Sequence, residues 1–278
     1  MIDAQTQLYG IIGNPVWHSL SPIIHNGAFR RMGLNAVYLA FEVKNLKETM
    51  DGIRGLGIRG VSVTLPFKTQ VIPLLDEVEG LTGRIKAVNT VVNEGGKLIG
   101  YNTDGRGAIE ALEEKVDLKG KRVTLLGAGG AARAIGFALK TRDCEVIISN
   151  RTIDRGAGLA KELMCIHQPL SSIEGLDVNV IINATSAGMH PCDEESPLPK
   201  KVLKKGMTVM DIVYSPLQTK LLRDAEEIGC LTINGLEMLS HQGAAQLEIW
   251  TGKRPSVLQI KNDLRRALQT QINRRENG

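Results

Sequence analysis

The feature that most constrains this chain is Gly127-Ala128-Gly129-Gly130-Ala131-Ala132. It lies between an apolar run, Lys121-Arg-Val-Thr-Leu-Leu126, and a helix expected over 131–140. The run alternates little, as befits a strand covered on both faces. In such a strand–turn–helix, Gly127 permits the tight turn, Gly129 lets backbone approach a pyrophosphate, and Ala132 lets helix and strand pack closely. Free N–H groups and the positive end of the helix dipole then bind phosphates. Glycine turns are common structural devices; inside a βαβ unit this one reads as a dinucleotide site. The pattern continues with a strand over 144–149, a helix over 153–164, strands over 178–182 and 207–212, a helix over 217–228 and a short strand over 231–233. That alternation predicts a doubly wound parallel sheet with helices on both faces.

The end of the second strand chooses between cofactors. An NAD site wants a carboxylate there to accept from the ribose 2′-hydroxyl. This chain offers Asn150-Arg151-Thr152, with Arg155 one turn later. A guanidinium matches a 2′-phosphate in charge and fork geometry, so the residues favour NADP. The competing structural explanation is that Arg151 and Arg155 are exposed residues of a helix start.

The first half has its own rhythm, and the two patterns meet near residue 105. Strands are expected over 8–12, 37–43 and 60–65, helices over 22–32, 46–56 and 105–116. A hairpin is expected over 87–93 and 97–101 about Glu94-Gly95-Gly96. From Leu236 onward two helices read as broken around Lys253-Arg254-Pro255. A length of 278 residues suits two α/β domains.

Composition narrows the function classes. Aromatics make up 4% of the chain, too few for a platform that stacks nucleic-acid bases. The net charge of +4 resides wholly beyond residue 253, where six Lys/Arg face two Asp/Glu, and spacing of that kind suits a solvated helix face. We therefore expect no nucleic-acid partner. The cysteines, Cys144, Cys165, Cys192 and Cys230, stand 21, 27 and 38 residues apart. Without a CxxC pair or zinc spacing they read as reduced thiols, and no metal site is expected. No run nears 18 apolar residues, and the N-terminus lacks the regions of a signal peptide, so a cytoplasmic protein off the membrane is expected.

Polar residues of the first half keep unusual company. Asn14-Pro-Val-Trp-His-Ser-Leu-Ser-Pro places Ser19 and Ser21 at a helix start. Ser21, before Pro22, reads first as an N-cap; Ser19 has no such duty. Two hydroxyls beside a helix N-terminus would cradle a carboxylate. Val61-Ser-Val-Thr-Leu-Pro-Phe-Lys presents Thr64 and Lys68 at a strand end. Ala87-Val-Asn-Thr and Tyr101-Asn-Thr-Asp-Gly add Asn89 and Asp104. Hydroxyl, amine, amide and carboxylate at neighbouring strand edges suit a polyhydroxylated acid. Beside these islands, His18 and His241 read as supporting hydrogen-bond partners rather than proton carriers.

These islands, with Gly127-Ala-Gly-Gly-Ala-Ala, Asn150-Arg-Thr, Asn183-Ala-Thr-Ser-Ala-Gly-Met, Asp211-Ile-Val-Tyr214-Ser-Pro and His241-Gln242-Gly, resemble shikimate dehydrogenase. They fall in family order from about residue 8 to residue 260. The resemblance implies reversible reduction of 3-dehydroshikimate to shikimate with NADPH, a step of chorismate and aromatic amino-acid biosynthesis. It implies Lys68 and Asp104 as the catalytic pair, with Ser19, Ser21, Thr64, Asn89, Tyr214 and Gln242 also contacting substrate. The Gly127–Ala131 turn, Asn150, Arg151, Thr152, Arg155, Ile212 and Gly235 would contact NADP. It further implies two α/β domains flanking a cleft: residues 1–104 with 237–278 for substrate, and 105–236, of Rossmann type, for the cofactor. A homodimer is compatible with it, although no residue specifies one. Two roles stay open to Lys68, proton donor or electrostatic anchor.

Two departures stand out. Lys86 occupies a position where the family often has glycine, which reads as a neutral loop change, and the segment 165–175 is short, so one strand is expected to be missing or brief. Rivals to this reading are an NAD-preferring quinate/shikimate dehydrogenase and a non-catalytic paralogue that senses nucleotide or substrate. The latter would be expected to lose Lys68 or Asp104, and both are present.

Overall fold

The computed structural model describes residues 2–175 and 177–276, with side chains as far as residue 269. The chain divides into two units, one formed by residues up to Thr103 together with those from Gln242, the other by Asp104–His241.

In the first unit, strand β1 (Gln7–Gly13) leads to helix α1 (Ser21–Arg31), strand β2 (Ala36–Glu42) and helix α2 (Leu46–Gly55). Pro22 sits in the first turn of α1, where its missing N–H costs nothing. Ile24, His25, Ala28 and Phe29 line that helix's buried face at helical spacing. Asn45 caps α2 by accepting from the Glu48 N–H at 3.3 Å, and Met50 and Ile53 turn to the core. Strand β3 (Gly60–Val63) stops two residues before the expected end, because Thr64 accepts from the Phe67 N–H in a turn and Pro66 has no N–H for a ladder. Then come the two-residue strand β4 (Glu77–Val78), helix α3 (Gly80–Ile85) and the hairpin β5 (Thr90–Glu94) with β6 (Lys97–Tyr101). Gly95 and Gly96 both take positive φ, as a two-residue hairpin turn requires.

The strands order as β2-β1-β3-β5-β6-β4. β1 runs parallel to β2 and β3, whereas β5 is antiparallel to both β3 and β6. This arrangement brings the ends of β1, β3 and β6 and the start of β5 to one edge of the sheet. Val61, Val91 and Leu98 are fully buried behind that edge, each contributing roughly 1.5–3 kcal/mol.

The second unit opens with helix α4 (Asp104–Glu113) and strand β7 (Arg122–Leu126), followed by helix α5 (Gly130–Leu139), strand β8 (Glu145–Ser149) and helix α6 (Ile153–Leu163). Strand β9 (Ile166–His167) is the brief strand that the short 165–175 segment allows. Strands β10 (Val180–Asn183) and β11 (Thr208–Asp211), helix α7 (Lys220–Ile228) and strand β12 (Leu231–Ile233) complete a wholly parallel sheet, β9-β8-β7-β10-β11-β12. This is the doubly wound Rossmann order, and its winding reverses between β7 and β10, where such sheets bind ligands at their carboxyl ends. Gly105 lets α4 lie against α5, since a Cβ there would stand 2.4 Å from the Ala134 carbonyl oxygen.

Helix α8 (Gly235–Thr251) begins in the second unit and ends in the first, and α9 (Val257–Glu276) follows it. In the first unit Trp250 of α8 donates to the Val91 carbonyl at 3.0 Å, and Asp263 of α9 pairs with Arg31 of α1 at 2.7 Å. Among the described residues no helix is long and apolar enough to cross a membrane, and all four cysteines are free.

Candidate functional site

At the sheet edge of the first unit, topology gathers residues that are far apart in sequence. The Val63 N–H donates to the Asn89 carbonyl at 2.8 Å, and the Val88 N–H donates to the Lys68 carbonyl at 2.8 Å. The loop carrying Thr64 and half-buried Lys68 is thus sewn to the strand entry carrying Asn89. Thr64 packs over the end of β1, where a Cβ at Gly13 would stand 2.4 Å from Thr64 Cγ2. Asn89 is 2% exposed, and its Nδ2 lies 3.5 Å from Oε1 of Gln242, itself buried on α8. Lys68, Asn89 and Gln242 all have partners, so none is an idle surface group.

The serines behave differently from expectation. Leu20 occupies the N-cap position of α1, Ser21 is the first helical residue, and no side chain caps the helix. Ser19, expected to have no structural duty, accepts from the Ser21 N–H at 3.2 Å. The cause is backbone geometry: Leu20 is already near the helical region, so the turn closes one residue early and Ser19 is the nearest oxygen. The Ser19 hydroxyl still has a proton to donate, whereas Ser21 is buried with its hydroxyl beside that of Tyr38.

In the second unit, Gly127 has φ 113° between β7 and α5. A Cβ there would lie 3.0 Å from the Ala184 carbonyl oxygen at the end of β10, so conformation and space both demand glycine. Gly129 is the N-cap of α5 and brings no capping side chain. A Cβ at Gly129 would meet nothing within 4 Å, which leaves the first-turn N–H groups open to an anion. Gly130 and Ala131 form that first turn, and Ala132 is fully buried behind it. The Gly127 N–H donates to the Ser149 carbonyl at 2.8 Å, which sets the end of β8 beside the turn.

Beyond β8, Asn150 Nδ2 donates to the Thr152 carbonyl at 2.8 Å, and Thr152 caps α6 by position only. Arg151 and Arg155 are exposed, and among the described residues neither makes an ion pair. The other five arginines of this unit all do: Arg106 with Glu110, Arg122 with Glu145, Arg133 with Glu162, Arg142 with Glu113 and Arg223 with Glu194. Two uncommitted guanidinium groups next to an uncapped helix N-terminus fit a dinucleotide carrying an additional phosphate.

Across the switch point, Asp211 at the end of β11 ties the loops together. Its Oδ1 accepts from the Val213 N–H at 3.0 Å and from Asn183 Nδ2 at 3.0 Å, and its Oδ2 accepts from the Thr219 hydroxyl at 2.7 Å. Burial pushes this carboxyl up to about 6 against the pull of those donors. Ile212 follows it, and Gly235 is pressed so close that a Cβ would stand 2.4 Å from the Ile212 carbonyl oxygen. Tyr214 is half-buried in the same loop, and burial raises its hydroxyl above the usual range. Asp104 opens α4, buried and with partners of its own, where a carboxylate is favoured by the helix dipole.

The candidate residues therefore divide. Ser19, Ser21, Thr64, Lys68, Asn89 and Gln242 belong to the first unit, and Asp104, Tyr214 and the nucleotide-side residues to the second. Sequence reasoning overlooked Asp211, Asn183 and Thr219, and on the substrate side Thr103 and Gln246. Asp211, Asn183 and Thr103 lay inside the motifs it singled out; Gln246 was findable only as the residue one helical turn after Gln242. The two histidines part company: His18 is exposed, whereas buried His241 sets its ring nitrogens 3.0 Å from carboxylate oxygens of Glu110 and Glu114.

Comparison with known proteins bears directly on these arrangements. Residues 11–91 match the family described as shikimate dehydrogenase substrate binding domain, 110–237 the family shikimate / quinate 5-dehydrogenase, and 235–265 the shikimate 5′-dehydrogenase C-terminal domain. A shikimate dehydrogenase (NADP(+)) of Pyrococcus furiosus is 48% identical over 92% of this chain and 94% of its own. Its counterpart in Methanocaldococcus jannaschii is 47% identical over 94% and 97%. The crystal structure of shikimate 5-dehydrogenase from Thermus thermophilus, in complex with NADP(H) and shikimate, superposes with a TM-score of 0.89 at 38% identity, covering 94% of this chain and all of that one.

Proposed function

This chain belongs to the shikimate dehydrogenase family, and on that premise we propose that it interconverts shikimate and 3-dehydroshikimate with NADP as its cofactor. The observation that carries the substrate side is the edge of the first sheet, where hydroxyl, amine and amide groups are fixed to one another through backbone hydrogen bonds. The cofactor side rests on the open helix start at Gly129 and on Arg151 and Arg155, the arginines of the second unit without an ion pair among the described residues.

The protein's own groups have definable tasks. Ser19 and Ser21 donate to the substrate carboxylate at the positive end of α1. Asn89 and Gln242 bind ring hydroxyls, and Thr64 and Tyr214 are further substrate contacts. Lys68 lies beside the oxygen that changes between hydroxyl and carbonyl. As an ammonium it stabilises negative charge growing on that oxygen and gives it a proton in reduction. Asp104 holds a neighbouring substrate hydroxyl. On the nucleotide side, Gly127 forms the turn, and the N–H groups from Ala128 through Ala131 would hold the pyrophosphate. Asn150, Arg151, Thr152 and Arg155 would hold the 2′-phosphate, and Ile212 and Gly235 would also contact the cofactor. When bound, the nicotinamide supplies the hydride chemistry.

Replacing Lys68 tests these roles. Lys68→Ala is expected to lower kcat about 10²–10⁴-fold, the usual worth of a general acid, while NADPH binding followed by fluorescence stays unchanged. Wild-type turnover in this variant would remove lysine from the mechanism. We place the protein in the cytoplasm, a reading its four unpaired cysteines support. A homodimer is compatible with the exposed edge strand β2, where Leu39 is 46% exposed, and sedimentation measures it directly.

A further inference from the structure

Seven buried side chains of the first unit form a chain of hydrogen bonds whose direction can be read from link to link. The Tyr38 hydroxyl donates to Ser62 Oγ at 2.6 Å, and Ser62 Oγ donates to Gln246 Oε1 at 3.0 Å. With its oxygen engaged there, Gln246 turns its NH2 the other way. It donates to Thr90 Oγ1 at 2.9 Å and to the Asn89 carbonyl at 3.0 Å. Thr90 passes its own proton to Asn89 Oδ1 at 2.7 Å. The backbone N–H of Thr103, a group that can only donate, reaches the same oxygen at 2.9 Å.

Two independent donors thus fix Asn89 Oδ1 as an acceptor and turn Nδ2 to the opposite side. There it lies 3.0 Å from Thr103 Oγ1 and 3.5 Å from Gln242 Oε1. Thr103 Oγ1, having accepted from Asn89, has one proton to give; Asn89 Oδ1, already holding two donors, is 3.3 Å away and Gln242 Oε1 is 3.5 Å away. The oxygen of Gln242 faces donors on this side, so its NH2 points away from Asn89 and Thr103.

We propose that Thr103 and Gln246 are positioning residues that set the polarity of two amides: Asn89 gives its N–H donors to Thr103 and Gln242, so that Gln242 turns its own NH2 away from them and presents it as a donor to a substrate hydroxyl, which serves as acceptor. This deepens the proposed function and rests on its reading of Gln242 as a substrate contact. An amide free to flip would offer donor and acceptor alike. A fixed one discriminates, favouring a hydroxyl or carbonyl oxygen and rejecting an ammonium group in the same place, because N–H would then face N–H.

Thr103→Val keeps the backbone N–H and the shape but removes the hydroxyl. It is expected to raise KM for shikimate about tenfold, the loss of one ordinary hydrogen bond, with KM for NADP and kcat changed less than about twofold. Thr103→Ser, which restores the hydroxyl, is expected to return KM toward the wild-type value. Gln246→Glu, which removes the donor to Thr90, is expected to raise KM for shikimate in the same selective way. A wild-type KM in Thr103→Val would overturn the proposal, as would equal impairment of the Val and Ser variants with matching losses of melting temperature. If the variants do not fold, the side-chain NH2 resonances of Gln242 in the wild type decide. Shikimate is expected to shift them, and unmoved signals would overturn the assignment. A wild-type protein that neither binds nor turns over shikimate gives a different result, one that removes the substrate reading itself.

Discussion

Five arginines of the second unit hold carboxylates while Arg151 and Arg155 hold none among the described residues, and that contrast has a measurable consequence. Surface ion pairs contribute little to stability, yet an arginine already committed to one is less free to meet a phosphate. Arg151→Ala is expected to raise KM for NADP about ten- to a hundredfold, as loss of a charge-assisted phosphate bond should, and to leave KM for NAD nearly unchanged. An equal loss for both cofactors, measured by initial rates, would contradict the phosphate assignment. Residue types and spacing singled out Arg151, Lys68 and Asn89 as candidates, because chemistry restricts which side chains can do such work. Thr103, Gln246 and Asp211 stayed hidden for the opposite reason. They act through hydrogen bonds to other side chains or to backbone, and such partners are brought together only by the fold. The order of Ser19 and Ser21 at the α1 start was misread because a cap depends on the φ/ψ of the residue between them, which sequence does not state.

Elements with a clear hydrophobic rhythm were foreseen; β4 and α3 were not. β4 has two residues, and α3 has six with only Thr82 and Ile85 buried, so neither leaves a hydrophobic rhythm to detect. The end of α3 also overturns the reading of Lys86 as a neutral change. Lys86 is the C-cap at φ 56°, ψ 35°, a left-handed conformation where glycine has no Cβ penalty. Lys86→Gly is expected to stabilise the protein by about 1 kcal/mol and raise the melting temperature by about 2–4 °C, because relief of backbone strain outweighs what the lysine side chain contributes. A lower melting temperature in differential scanning calorimetry would refute this.

The loops after β10 and β11 carry a second consequence. A carboxyl raised from 3.8 to about 6 in the folded protein favours folding most when protonated. The benefit is complete below about pH 4 and disappears as pH rises through about 6. Relative to Asp211→Asn, the wild type should therefore lose on the order of 3 kcal/mol of stability between pH 4 and 7. Urea unfolding of both proteins across that range gives the difference, and a gap that stays constant with pH would contradict the assignment.

At the scale of the whole chain, a single polypeptide builds one mixed sheet and one wholly parallel sheet, and α8 passes from the second unit into the first. The parallel sheet was readable because its strands are buried on both faces and its helices alternate with them. The mixed sheet was readable as strands and helices, but its order was not. Pairing of β5 between β3 and β6 depends on contacts across the sheet, and those same pairings bring Lys68 beside the entry to β5. The proposed site residues, Ser19, Lys68 and Asn89 at one sheet edge and the glycine turn at the other sheet, all precede the positive charge beyond residue 253. The function proposed for this chain is hydride transfer between shikimate and NADP. The direct measurement is the initial rate of absorbance increase at the reduced-nicotinamide band, with shikimate or quinate and with NADP or NAD. Rapid reduction of NADP by shikimate, with much slower rates in the other three combinations, is the expected result. Absence of shikimate-dependent reduction of NADP, or a preference for NAD with quinate, would contradict it.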